Sequence, residues 1–143
     1  MVEILNYSTS IAVSKSAGEV IGLLSRGGVK SIGQELDSSG NPVGVNFSML
    51  TEYGVRYFEL PVKVEGVLAA LKQDKRTTST QRTPEHAAKV AWRIAKDWLE
   101  AQIALIDSGL ATLDEVLLPY MIGNKAGQTM YQLYLNEQKA IEK

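Results

Sequence analysis

The chain has 143 residues, 45% of them hydrophobic and 22% charged, with fifteen Lys and Arg against sixteen Asp and Glu for a net charge of −1. That is a single domain, residues 1–143, long enough to bury about 68–70% of the surface its unfolded form exposes. The lack of cysteine excludes thiolate metal sites, disulfides and cysteine nucleophiles; a single histidine, His86, limits any catalytic triad to one base; and the near-neutral balance gives no global reason for polyanion affinity.

In the first half the pattern is that of strands around one helix. Leu5, Tyr7, Thr9, Ile11 and Val13 alternate with mostly polar neighbours, the period-2 signal of a half-buried strand. Ser16-Ala17-Gly18-Glu19 matches a capping box, followed by Val20, Ile21, Leu23 and Leu24 at helical spacing and a Gly27-Gly28 stop. A weaker strand spans residues 29–36, and Asp37-Ser38-Ser39-Gly40-Asn41-Pro42 is a dense turn signal. Val43, Val45, Phe47 and Met49 then alternate as a strand, and Glu52-Tyr53-Gly54 is a hairpin connection. Val55 to Leu60 returns with Arg56, Phe58 and Leu60 on one face, and Pro61 ends it.

The second half is helical. Val64, Val67, Leu68 and Leu71 predict a helix over residues 64–73. Residues 74–82 contain no apolar side chain and predict a flexible basic loop. Thr83-Pro84-Glu85 opens the longest helix, with Ala87, Ala91, Ile94, Trp98, Ala101 and Leu105 on one face and Ser108-Gly109 as its stop. Thr112 to Glu115 is a second capping box for a short helix that Pro119 closes. After a turn at 123–127, residues 129–141 form a last helix with Met130, Leu133 and Tyr134 inward. The expected fold class is α+β: an antiparallel sheet of about four strands (β-α-β-β-β), then a helical half with one long helix.

Three features carry candidate chemistry. Lys89, Arg93 and Lys96 share a face of the long helix, Arg82 and His86 extend that line, and Trp92 lies beside it. Arginine forks and an aromatic plane suit phosphates and bases; the alternative is a solvated basic face with Trp92 and Trp98 packing the core. The segment Lys72 to Arg82 either closes over an anion or is an ordinary connector. Arg56, on an apolar sheet face, must find a phosphate, a carboxylate or water. Asp97 and Glu100 are expected to pair with Arg93 and Lys96. No Walker loop or dinucleotide fingerprint is present, and no catalytic residue, metal or cofactor is expected.

The runs Tyr7 to Lys15 into Gly18-Glu19-Val20-Ile21, Arg56 to Val62, Val90-Ala91-Trp92-Arg93 and Leu99-Glu100-Ala101-Gln102 resemble a widespread family of small phage and prophage proteins, over nearly the full chain. In architecture the chain also resembles phage anti-defence "sponges", which sequester nucleotide-derived immune signals such as cyclic ADP-ribose variants or cyclic oligonucleotides. The resemblance implies a non-enzymatic homo-oligomer that binds a small phosphorylated nucleotide through Arg56, Arg82, His86, Lys89, Trp92 and Arg93. The alternatives are a single-stranded nucleic-acid-binding accessory of phage replication and a protein-interaction inhibitor of a host factor. With no membrane span of roughly 18 apolar residues and no leader pattern, the expected location is the cytoplasm of the infected bacterium.

Overall fold

The computed structural model describes residues 2–142. Among them are five α-helices and three strands: α1 (Val13–Arg26), β1 (Val29–Leu36), β2 (Pro42–Thr51), β3 (Gly54–Pro61), α2 (Val64–Gln73), α3 (Pro84–Asp107), α4 (Leu113–Leu117) and α5 (Met130–Ile141). Short 3-10 turns cover Ser79–Gln81 and Leu118–Tyr120. The class is α+β, and the sheet is antiparallel in the order β1-β2-β3.

The alternation in β2 and β3 sorts the sheet into two faces. Val45, Phe47, Met49, Phe58 and Leu60 are buried, and Phe47 stacks on its cross-strand partner Phe58 at 5.1 Å between ring centroids. Against this face pack Ala17, Val20, Leu23 and Leu24 of α1 and Ala91, Trp92 and Leu99 of α3. Each such large side chain contributes about 1.5–3 kcal/mol on leaving water. A second cluster joins Leu71 of α2 to Ala87 and Val90 of α3. Gly54 closes the β2–β3 hairpin at φ 101°, a conformation a side chain would strain.

The predicted first strand does not form. Residues 5–8 make a turn, with Asn6 at φ 64°, and an extended stretch then leads into α1 at Val13. The alternating pattern is satisfied without a ladder. The Ile4 amide donates to Asp74 Oδ2 at 2.9 Å, the Ile4 carbonyl accepts from Arg76, and Asn6 Nδ2 donates to Asp97 at 2.9 Å. Ile4 and Tyr7 pack on the α2–α3 cluster. The sheet therefore has three strands rather than four.

The predicted capping box is also absent. α1 starts three residues before Ser16, at an Ala12 N-cap that offers no side-chain acceptor. Ser16 faces inward with no exposed surface, and it and Glu19 are both taken by Arg93. In contrast, Thr83 caps α3, and Thr112 caps α4 through a capping box with Glu115, as the sequence predicts.

The segment after α2 is folded rather than flexible. Asp74 is 1% exposed and accepts from the Ile4 amide and from both the backbone and side chain of Arg76. Thr77 is buried and donates to the Leu71 carbonyl, and Thr78 and Gln81 form a capping box. A stretch without apolar side chains is held here by polar side chains acting on the backbone. The inward faces differ in detail too: Ala101 of α3 and Met130 and Tyr134 of α5 are exposed, and Leu133 is half-buried.

Arg76 holds the Asp74 carboxyl well below the ordinary aspartate value of 3.8, with the Ile4 amide adding to the effect. A depressed native pKa means stability that is present above the unfolded value and lost as pH falls below it. We expect Asp74→Asn to lower the melting temperature at neutral pH. The gap to the wild type should narrow once the pH drops below 3.8, which thermal melts across an acid series would read.

Candidate functional site

α3 is central, touching both α1 and α2, and its basic side chains divide by where the helix turns them. Arg93 is 9% exposed. Its NH2 donates to Ser16 Oγ and to Glu19 Oε2, each at 2.9 Å, and its Nε donates to the same hydroxyl at 3.2 Å. It therefore clamps α3 to α1. The expected pairing of Arg93 with Asp97 or Glu100 gives way to this one, because Ser16 and Glu19 of α1 lie within hydrogen-bond distance of the inward-turned guanidinium. Lys96 does pair with Glu100, at 3.0 Å, and sits 3.9 Å from both Asp97 and Glu19.

Trp92 has no exposed surface, and its indole N–H donates to the Pro42 carbonyl at 3.1 Å. No face of this ring is open to a base. His86 donates from Nε2 to the Tyr7 carbonyl, since a carbonyl can only accept, and its amide is capped by Thr83. Arg82 donates from Nε to Thr77 Oγ1 at 2.7 Å and from NH2 to the Thr77 carbonyl at 3.0 Å. Arg76 lies 4.1 Å over the Tyr7 ring centroid as well as on Asp74. Arg56 shares the inner sheet face with Phe58 and turns back to the hairpin, donating to the Val55 carbonyl at 3.1 Å. Arg56 and Arg93 thus point to different elements and do not meet.

Lys89 is different. It is half-buried, and among the described residues it forms no ion pair. It lines a cavity of about 870 Å³ bounded by the starts of α1, α2 and α3 and by the β1–β2 turn. This volume falls in the range of small-molecule sites, about 300–1,000 Å³. Lys63, exposed and likewise without an ion pair among the described residues, stands across it at the start of α2.

The walls are largely apolar: Val13, Pro42, Val43, Val62, Val64 and Leu68. The charged groups are Lys63, Lys89, Asp37, Glu65 and Glu85. Asp37 is already engaged, accepting from the amides of Ser39 and Asn41 at 2.9 Å each. The Asn41 amide is the main reason its carboxyl sits below the ordinary value. Glu65 and Glu85 occupy the first turns of α2 and α3, where they face the positive helix ends.

Three helix N-termini therefore open on one cavity, and two of them lack caps. Neither Ala12 before α1 nor Lys63 before α2 offers a side-chain acceptor to the first-turn amides. Uncapped amides at a positive helix end are ready donors for an anion. An apolar wall beside them suits a planar or aliphatic body. Among the described residues, no group of three or more His, Cys, Asp or Glu is placed to hold a metal ion, and no helix is long and apolar enough to cross a membrane.

No family model, curated protein or solved structure matches this chain.

Of the six residues predicted as a site, the structure brings only Lys89 to this cavity. Lys63 and the two uncapped helix starts, which also border the cavity, are not among those six. Their signal is nonetheless in the sequence: Ile11-Ala12-Val13 and Val62-Lys63-Val64 begin helices with none of the Ser, Thr, Asp or Asn that usually cap one.

Proposed function

We propose that the protein is a non-catalytic binder of a small phosphorylated nucleotide, which lies in the cavity between the first turns of α1, α2 and α3. The observation that carries this reading is the meeting of two lysines, neither in an ion pair among the described residues, and two uncapped helix starts around a largely apolar cavity of about 870 Å³. The base and ribose lie against Val43, Val62 and Leu68. The phosphate takes the amides at Val13 and Val64 together with the ammonium groups of Lys63 and Lys89. The resemblance to small phage proteins and to anti-defence sponges gives the binding a purpose: the withdrawal of a nucleotide-derived signal from the host's defence. Binding to long single strands is less well supported, because Arg76, Arg82 and Arg93 are tied into the fold.

Titration calorimetry of the full chain with adenosine monophosphate, a cyclic ADP-ribose isomer and a cyclic dinucleotide tests the reading. At least one should bind. In the double variant Lys63→Glu, Lys89→Glu its affinity should fall by about tenfold or more, a loss of roughly 1.4 kcal/mol, while the melting temperature stays close to that of the wild type. No heat from any of them at high micromolar concentration would overturn the reading, as would binding that the double variant leaves unchanged.

A further inference from the structure

α5 has twelve residues and none of them is buried. An isolated helix of about 12–15 residues is marginal in water, so α5 needs cover to persist. Five of its exposed side chains are nonetheless large and apolar: Met130, Tyr131, Tyr134, Leu135 and Ile141 are between 37% and 70% exposed.

Its own chain is poorly placed to supply that cover, because the start of α5 is fixed. The Met130 amide donates to the Met121 carbonyl at 2.8 Å and the Gly123 amide to the Gln128 carbonyl at 2.8 Å, a small ladder that also joins β3 through Ile122 and Tyr57. Thr129 is buried and forms a capping box with Gln132. The loop at Gly123 lies against these first turns, a Cβ there meeting the flexible ends of the Leu133 and Met130 side chains. Beyond this anchor α5 projects with its apolar side chains bare.

The same chain carries an apolar groove of about 270 Å³ between β3, α2 and α3, lined by Leu60, Val67, Ala91, Ala95, Trp98 and Tyr120. The surface total is consistent with something missing. A compact monomer of 15.6 kDa exposes about 7,200 Å². This chain exposes 8803 Å², an excess of roughly 1,600 Å² over that scaling. A stable protein–protein interface takes about 800 Å² from each partner, so the excess is large enough for one.

We infer that the protein is a symmetric dimer in which α5 of each copy docks in the β3–α2–α3 groove of the other. A second copy brings both halves of the contact, a bare apolar helix and a bare apolar groove. A two-fold exchange uses each once and leaves no open end. This dimer is independent of whether a nucleotide is bound.

Sedimentation velocity on the full chain across micromolar concentrations should give a mass near twice 15.6 kDa. The variant Tyr134→Glu, Leu135→Glu should sediment as a monomer with an otherwise folded circular dichroism spectrum. A wild-type monomer, or a dimer that this variant leaves intact, would overturn the inference. Since the native chain has no cysteine, the docking can be read directly. The double variant Ala95→Cys, Leu135→Cys should form disulfide-linked dimers on mild oxidation, whereas each single variant should not. Crosslinking by Leu135→Cys alone would mean that α5 pairs with α5 instead, and would overturn the groove as its seat.

Discussion

Trp92→Ala should destabilise the fold more than any other truncation in the core, by about 3–5 kcal/mol. Trp92 is the largest side chain without exposed surface. Its removal empties the contact between α3 and the sheet and leaves the Pro42 carbonyl without its donor. A domain of this length has a total stability of roughly 7–20 kcal/mol, at about 0.05–0.15 kcal/mol per residue. The melting temperature should fall by roughly 6–20 °C, taking about 2–4 °C per kcal/mol. Trp92→Phe separates the two contributions. It keeps most of the volume and loses only the N–H donor, at a cost of about 1–3 kcal/mol for the stranded carbonyl. Differential scanning calorimetry on the three proteins gives both numbers. A Trp92→Ala protein as stable as the wild type would mean that the indole is not enclosed as described.

Arg93→Ala should cost about 2–4 kcal/mol. The guanidinium joins a wholly buried hydroxyl, Ser16, to the half-buried Glu19 across the α1–α3 contact. Taking it away strands the hydroxyl, frees the carboxylate from its partner and leaves a void. Arg93→Met fills the void with an apolar chain of similar reach and should recover part of the loss, because filling such a site often offsets the missing ion pair. Lys89→Ala, one turn away on the same helix, should stay within about 0.5 kcal/mol of the wild type. Guanidinium chloride midpoints for the three variants make this comparison. An Arg93→Ala midpoint equal to that of Lys89→Ala would show that Arg93 does not bind the two helices together.

Elements whose burial pattern is set by neighbouring strands or by their own caps were legible in the sequence. β3 alternates because one face is core and the other is not, and β2 follows the same apolar pattern, although Ser48 on its other face is buried too, where it bonds Ser31. Thr83-Pro84 and Thr112 to Glu115 supply their helix starts locally, so no distant contact is needed to place them. The errors have a common physical cause, which is side chains bonding at long range. Leu5 to Val13 has the alternation of a strand, but Asp97 and His86 claim polar groups of Asn6 and Tyr7 there, and Asp74 and Arg76 claim the backbone of Ile4 just before it, all from about 70 to 90 residues away. Ser16 and Glu19 have the spacing of a capping box, but Arg93 reaches them from 74 or more residues on. The loop at 74–82 lacks apolar residues, yet Asp74 and Thr77 organise it from within.

The site was legible to a smaller degree for the same reason. A basic stripe on a helical wheel says which side chains share a face, and says nothing of what lies opposite that face. Opposite Arg93 lies α1; opposite Lys89 lies a cavity. Trp92 beside an arginine suits base stacking in the sequence and core packing in the fold, and its burial decides for the core. The uncapped starts at Ala12 and Lys63 become informative only once the fold brings them to one place.

On the proposed function the basic residues of α3 have separate tasks: Arg93 joins two helices, and Lys89 would meet a ligand at the helix starts. An amide chemical-shift titration of the isotope-labelled full chain with adenosine monophosphate tests this most directly. The predicted result is saturable shifts at the amides of Val13, Ser14, Val64, Glu65 and Lys89, with those of Ser16 and Arg93 little changed. Shifts centred instead on Arg56, Arg82 or Arg93, or no shifts at all, would contradict it.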